Sequence, residues 1–346
     1  MAFECGSNGE KIGVSIKKDR LVLTFAYHYG KEWDKMMKEE YRPEGAPRAE
    51  ERKYLETEQG LLRAQEEQII LQARCSLCDS EHNLYVDLGP ITGYIPRGET
   101  ALGIREGTAK DVAIIPRVNK MISFVVQGFT TVDGKKMALL SRRVAQERCS
   151  AYLFEHLKPG MVIDARVTHL EQFGAFVDLG CGVISMIPID RISISRIRHP
   201  DHRFVCGMRV RVVVLQVDRV NRRILLSHKE LLGTWAENVR QFEAGQTVGG
   251  IIRSIENYGI FVELAPNLAG LAEPTEHAEV DRYVGVYIKS ILPEKMKVKL
   301  AVVDMGDPIV KPAPFTYYYQ GDQLDHWVYS PPECGRVIEE LFDSES

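Results

Sequence analysis

The stretch Phe173-Gly-Ala-Phe-Val-Asp-Leu-Gly180 returns as Tyr258-Gly-Ile-Phe-Val-Glu-Leu264, with aromatic, glycine, aromatic, valine, acid and leucine in the same register. A more divergent copy reads His82-Asn-Leu-Tyr-Val-Asp-Leu-Gly89. Such self-similarity means a chain built from copies of one supersecondary unit. Working outward, each copy is followed by a short, largely apolar strand with glycine at or just before its start: Thr92-Gly-Tyr-Ile-Pro96, Val183-Ile-Ser-Met-Ile-Pro188 after Gly182, and Ala269-Gly-Leu-Ala-Glu273. Each is preceded by an alternating strand, over 69–73, 162–167 and 248–255, and each ends in a strand pair such as 210–217 with Arg223-Ile-Leu-Leu-Ser227. Five short strands per unit with glycine at the bends predict small closed β-barrels.

Between units the apolar period changes from two to nearly four. Leu231, Trp235, Val239 and Phe242 form a helical stripe, and 141–157 takes the equivalent place one unit earlier, so helices are expected to space the barrels, with Trp235 as core. After Asp304 the repeat stops and prolines appear. Phe315-Thr-Tyr-Tyr-Tyr-Gln320 and Leu324 to Tyr329, separated by Gly321-Asp-Gln, predict a β-hairpin whose aromatics cover the edge of the last barrel. The expected division is an N-terminal extension over 1–36, a leading helical segment over 37–66, a degenerate barrel domain over 67–142, barrel domains over 158–229 and 244–303, and a C-terminal hairpin and tail over 304–346.

Aromatic residues on a barrel face stack on unpaired bases without regard to base identity. Phe173 and Phe176, and Tyr258 and Phe261, occupy matching positions. Residues i and i+3 of a strict strand point to opposite faces, so joint exposure requires Gly174 and Gly259 to mark a bulge or tight bend. With a net charge of −4 over 346 residues, any cationic surface must be gathered locally. It is gathered between Asp190 and Lys229, where ten arginines and lysines meet three aspartates, with Arg209 and Arg211 on one strand face. In the last unit Lys295, Lys297 and Lys299 alternate with Met296, Val298 and Leu300, which predicts a cationic face suited to phosphate contacts.

Other chemistries find little support. Cys75-Ser-Leu-Cys78 lacks the second ligand pair that zinc needs and reads as two thiols on a strand. His199-Pro-Asp-His202 reads as loop histidines near a phosphate backbone, with no HExxH-type glutamate beside it. The sequence offers no paired carboxylates for two metal ions, no phosphate-binding glycine loop and no nucleophile elbow. The expectation is therefore a non-enzyme with no cofactor, no metal and no small-molecule substrate. No run approaches the roughly 20 apolar residues of a membrane span, and seven scattered cysteines do not form a secreted disulfide framework. A cytoplasmic protein with reduced thiols is expected.

From Gly160 to Ala301 the two later units resemble the S1 RNA-binding domain, the OB-fold repeat of the bacterial small-subunit ribosomal protein S1 family. Residues 37–158, with Cys78-Asp-Ser-Glu-His-Asn-Leu and Leu140-Ser-Arg-Arg-Val-Ala-Gln, resemble the leading domain of short clostridia-type S1-like proteins. The resemblance implies a mainly β fold of tandem five-stranded OB-fold barrels joined by short helices. It also implies single-stranded RNA or mRNA as ligand, with the small ribosomal subunit as partner and the leading domain docking there. A non-ribosomal RNA-binding regulator or RNA-decay accessory factor is the alternative. The family's RNA face combines two aromatics, a histidine, an aspartate and an arginine; Phe173, Phe176, Asp218 and Arg223 match. The histidine position holds Ser185 in the middle unit, Glu273 in the last and Pro96 in the first, where His82 replaces the first aromatic. The middle barrel is therefore expected to bind RNA most strongly.

Residues 1–35 belong to no barrel unit, and the family-like text begins at Met37. Gly30-Lys31-Glu32 can be encoded with an AAGGAG stretch, the signal that precedes a bacterial start codon. Two readings stay open: upstream sequence that is not natively translated, or a genuine N-terminal extension.

Overall fold

The computed structural model of the chain describes residues 40–45, 48–89, 91–132, 134–308 and 315–342. The expected 1–36 extension lies outside the described residues. Pro43–Ser346 forms one compact unit, and three closed barrels follow one another within it. The first comprises β1 (Ile70–Cys78), β2 (Leu84–Asp87), β3 (Thr92–Ile95), β4 (Met121–Val132) and β5 (Lys135–Ser141). The second is β6 (Val162–Glu171), β7 (Gly174–Gly180), β8 (Val183–Pro188), β9 (Arg209–Asp218) and β10 (Arg223–Ser227). The third is β11 (Thr247–Glu256), β12 (Gly259–Ala265), β13 (Leu268–Ala272), β14 (Arg282–Leu292) and β15 (Lys297–Pro308). In each, the strands close in the spatial order first, second, third, fifth, fourth. No helix among the described residues is long and apolar enough to cross a membrane.

Closure needs the first strand to pair with the second along one half and with the fourth along the other, and a bulge supplies the bend. The register slips at the same place in every barrel: between Cys75 and Leu77, Val167 and His169, and Ile252 and Ser254. In two of them the extra residue's hydroxyl holds the hairpin, Ser76 donating to the Tyr85 carbonyl at 3.1 Å and Thr168 to that of Phe176 at 3.2 Å. Of the bulge or tight bend expected at Gly174, the structure has the bend: Gly174 closes the tight turn at Gln172 and Phe173 and pairs in register with Glu171 and Pro188. Glycine is needed there because a Cβ would lie 2.5 Å from the Ile187 carbonyl oxygen, closing the approach of β7 to β8.

Ahead of the first barrel stand α1 (Arg52–Leu55) and α2 (Glu58–Glu66), the latter capped by Thr57, whose hydroxyl accepts the Gly60 N–H at 2.9 Å. The first spacer is a full helix, α3 (Arg142–His156), capped by Ser141. The second is shorter than its apolar stripe predicts. A 3-10 turn at Lys229–Leu232 ends at Gly233 (φ +86°), and only Trp235–Val239 (α4) is α-helical. A Cβ on Gly233 would meet the Tyr318 ring at 2.7 Å, so the break seats a later segment.

In the second and third barrels the acid of the repeat joins the barrel to what precedes it. Arg142, 1% exposed, donates through Nε and Nη2 to the Glu44 carboxylate at 2.9 and 3.0 Å, and through Nη1 to the Thr100 carbonyl at 3.2 Å. Glu44 also accepts the Ser123 N–H of the first barrel, while its own N–H donates to Asp178 of the second at 2.7 Å. The other Asp178 oxygen accepts the N–H groups of Gly180 and Gly182. In the third barrel Glu263 accepts from Arg203, a buried arginine of the β8–β9 connection, at 2.5 Å and from Arg253 at 2.7 Å. Asp87, the acid of the first copy, is exposed and caps Gly89.

The expected hairpin of 315–320 with 324–329 does not form, because residues 318–324 spend their backbone on the middle barrel and on the turn that follows it. Tyr318 N–H donates to the Leu231 carbonyl, Val162 N–H to that of Asp322, and Leu324 N–H to that of Gly160, at 2.9, 2.8 and 2.8 Å. The two-stranded sheet that does form pairs β16 (His326–Val328) with β17 (Glu339–Leu341). Leu324, Trp327, Tyr329 and Phe342 share one core with Trp235, with Val162 and Val213 of the middle barrel and with the interior of the third. The strap thus fills the joint between two barrels rather than an outer edge of the last.

Two outcomes are expected. Trp327→Ala removes a large buried ring from this joint and lowers stability by about 3 to 5 kcal/mol, measured by denaturant unfolding of the whole chain. Burial, reinforced by the Glu44 carboxylate, pushes the Asp178 carboxyl up from 3.8 to about 7. The folded state therefore holds a proton that the unfolded chain has released between about pH 4 and 7, so this group's contribution to stability is full below pH 4 and is lost as pH rises to 7. Asp178→Asn is less stable where its amide faces the Glu44 N–H. Its stability relative to the parent nevertheless rises from pH 4.5 to 7.5, which unfolding at the two pH values checks.

Candidate nucleic-acid interface

The two aromatics of the middle barrel come together because they are not on one strand. Phe173 lies in the turn before β7 and is 57% exposed, while Phe176 is on β7; their ring centroids are 5.9 Å apart, edge to face at 89°. Tyr258, 67% exposed in the equivalent turn, meets Phe261 at 6.2 Å and 89°. The opposite-face constraint of a strand therefore never applies to the first ring. In the first barrel His82 takes the turn position with φ +64°, and Tyr85 packs edge-on against Tyr94 at 5.6 Å. Sequence reading missed His169, the cross-strand partner of Phe176, whose ring lies beside it at 6.3 Å and 30°. The signal was its place one residue past the bulge.

From Phe176 a cross-strand row runs through Met186 and Leu225. It borders a groove of about 770 Å³ that brings together Phe176, Ser185, Asp218 and Arg223. Three of the four residues carried over from the S1 resemblance thus line one cavity, and Phe173 stands edge to face against Phe176. Ser185, in the histidine position, donates to the Ile224 carbonyl and so ties β8 to β10. Asp218 accepts the backbone and side-chain N–H groups of Asn221 at 2.9 and 2.7 Å, which hold its carboxyl below the usual range. It shapes the β9–β10 turn, after which Arg222 takes a left-handed conformation (φ +51°) and Arg223 is exposed.

The cations divide between surface and joints. Arg209 is exposed at the start of β9, the opposite end from Asp218. Arg211 does not share its freedom: its guanidinium donates to the carbonyls of Tyr319 and Gly321 at 2.9 and 2.7 Å, fastening the C-terminal strap. Arg203 is buried against Glu263, Arg191 pairs with Glu340 at 2.6 Å, and Arg219 caps the Phe154 carbonyl at the end of α3. His202 is drawn into the same joint as Arg203, its Nδ1 2.9 Å from Arg253, and burial lowers its pKa. It is therefore not the phosphate-side loop histidine that its spacing predicts. Lys295 lies in a 3-10 turn ended by Met296 (φ +49°), so the expected three-lysine strand face is Lys297 and Lys299 alone, exposed on either side of buried Val298. Lys299 pairs with Leu271 and Leu271 with Phe261, which places Lys299 two strands, about 10 Å, from the aromatic pair. Glu273, in the histidine position here, pairs with Lys289 at 2.7 Å. Cys75 and Cys78 both lie on β1, and no group of three or more possible metal ligands occurs among the described residues.

Comparison with known proteins places this geometry. The S1 RNA binding domain family profile matches residues 156–229, the middle barrel and its entry. The small ribosomal subunit protein bS1 of Staphylococcus aureus (strain COL) is 32% identical over 177 residues, which cover 50% of this chain and 44% of that protein. The bS1 homolog of Bacillus subtilis (strain 168) is 32% identical over 200 residues, covering 53% and 51%. The chain thus spans about half the length of the curated relatives it matches. Among solved structures, a multidomain protein with nucleic acid binding domains from Streptococcus pneumoniae aligns over 68% of this chain and 73% of that one, at 13% identity and a TM-score of 0.24. The repeat, the barrel order and the matched segment agree on an S1 RNA binding domain at residues 156–229, in a chain that is similar over about half its length to ribosomal bS1.

Proposed function

We propose that this protein binds single-stranded RNA in the groove of its middle barrel and acts in translation at the small ribosomal subunit, in the cytoplasm. The observation that carries the reading is the Phe173–Phe176 pair beside a groove bearing Asp218 and Arg223, all within the segment that matches the S1 RNA binding domain. Exposed rings offer stacking to any unpaired base, and Arg223 at the rim neutralises phosphate. Tyr258, Phe261, Lys297 and Lys299 repeat the arrangement more weakly in the third barrel. Lys295 and Arg209 contribute only at long range. The bS1 names of the relatives support the ribosomal setting, and co-sedimentation with small subunits at moderate salt tests it: a protein that stays in the supernatant while binding RNA is a non-ribosomal factor.

Phe176→Ala or Phe173→Ala is expected to weaken binding of a short pyrimidine RNA by about 1 to 3 kcal/mol, and Tyr85→Ala to matter less, as read by fluorescence anisotropy. In a salt titration, Arg223→Ala flattens the slope of log affinity against log salt by about 0.7. Arg211→Ala instead lowers the melting temperature and leaves the slope unchanged, since its guanidinium serves the strap.

A further inference from the structure

The groove of the middle barrel has a wall that the barrel does not supply. With Phe176, Met186 and Leu225 it is lined by Ser150 and Phe154 of α3 and by Leu102 from the β3–β4 connection of the first barrel. These three residues lie outside the matched segment 156–229. The wall is fixed to the barrel at its open end. Arg219 donates to the carbonyls of Phe154 and Leu157 at 3.0 and 3.3 Å. Arg222 holds its guanidinium 4.9 Å from the centre of the Phe154 ring and donates to Ser150 Oγ at 2.7 Å. On the barrel side Ile184 and Leu225 stay 40% and 36% exposed, apolar area that nothing among the described residues covers.

Building on the RNA reading above, we propose that α3 is part of the nucleotide site, so that an unpaired base is held between the barrel face and the helix rather than on the face alone. The volume falls within the roughly 300 to 1,000 Å³ of small-ligand sites and is ample for a base with its ribose. The apolar row accepts one π-face. Arg222, already stacked on Phe154, offers its planar guanidinium to the base edge or opposite face, and such stacking is a property of arginine rather than lysine. Charge selects a nucleotide over an apolar peptide: Arg222 and Arg223 stand at the rim, and the nearby Asp218 carboxylate is already engaged by Asn221. An isolated 156–229 domain would lack this wall.

The test uses the full chain and a uridine decamer, with one 4-thiouridine for photo-crosslinking and mass spectrometry. The expected result is a crosslinked peptide containing residues 150–154, and a decamer Kd that rises about tenfold in Phe154→Leu with the melting temperature unchanged. Crosslinks confined to the barrel strands, with Phe154→Leu binding as the parent and Phe176→Ala weakened, would overturn the α3 wall and leave the barrel site standing. Binding unaffected by Phe154→Leu and Phe176→Ala alike would remove both. Because the crosslink is read on the unsubstituted chain, it decides the matter even where Phe154→Leu disturbs the helix.

Discussion

A buried arginine with a carboxylate on one side and a second barrel on the other organises this molecule. Arg142 has almost no solvent, and a guanidinium in that position is tolerated only when each of its three nitrogens finds an acceptor. Glu44 and the Thr100 carbonyl provide them. The turn of the second barrel must then come close without adding bulk. Gly182, at φ +78°, does so, since a Cβ there would fall 2.0 Å from the Arg142 guanidinium. Gln146, one turn along the same helix, donates to the Gly182 carbonyl and accepts the Leu102 N–H of the first barrel. Two barrels and the leading segment thus meet on one helix face through polar contacts, which demand a particular geometry in a way that apolar contacts do not.

The second joint uses the same position of the repeat with other partners. Glu263 is bound by Arg203 from the barrel before it and by Arg253 of its own bulge, while Asn267 in the next turn accepts from Ile194 and donates to the carbonyls of Lys229 and Gly233. Barrels linked this way are held in defined orientation, so surfaces on neighbouring elements can be combined into one site. A flexible string of domains could not build a wall for its middle barrel from the helix before it.

Much of this was legible in the sequence, and for identifiable reasons. The aromatic, glycine, aromatic, valine signature repeats because each barrel must solve the same closure, so the number of strands per barrel could be read from 173–180, its copies and the strands that flank them. Phe176, Asp218 and Arg223, which the S1 resemblance singled out, line one groove, whereas the α3 side of that groove carries no signal in the repeat. What could not be read was the second job of side chains that look alike in sequence. Arg209 and Arg211 are two residues apart on one strand, yet one faces solvent and the other is consumed by carbonyls of a segment a hundred or so residues away. The acid at 178 looks like a solvated strand residue because its partners, Glu44 and Arg142, are distant in sequence. The aromatic run at 315–320 carries a hairpin pattern, but its backbone finds a better partner at Leu231 and the Asp322 carbonyl that follows it finds Val162, a tertiary choice that local propensity cannot foresee.

The strap over 315–342 has a consequence for how the chain is made. Val162 and Val213 of the middle barrel, with Trp235 beside them, are covered on their outer side by Leu324 and Trp327. During synthesis the middle barrel emerges roughly a hundred residues ahead of its cover, an interval of order ten seconds at typical elongation rates. Through that interval a valine-rich flank stands open, and His228 lacks the Phe315 and Tyr317 rings that pack beside it in the finished fold. Vectorial folding therefore cannot finish the core around the middle barrel before residues 324–342 have arrived, and the nascent protein has an incomplete joint for as long as the ribosome holds them.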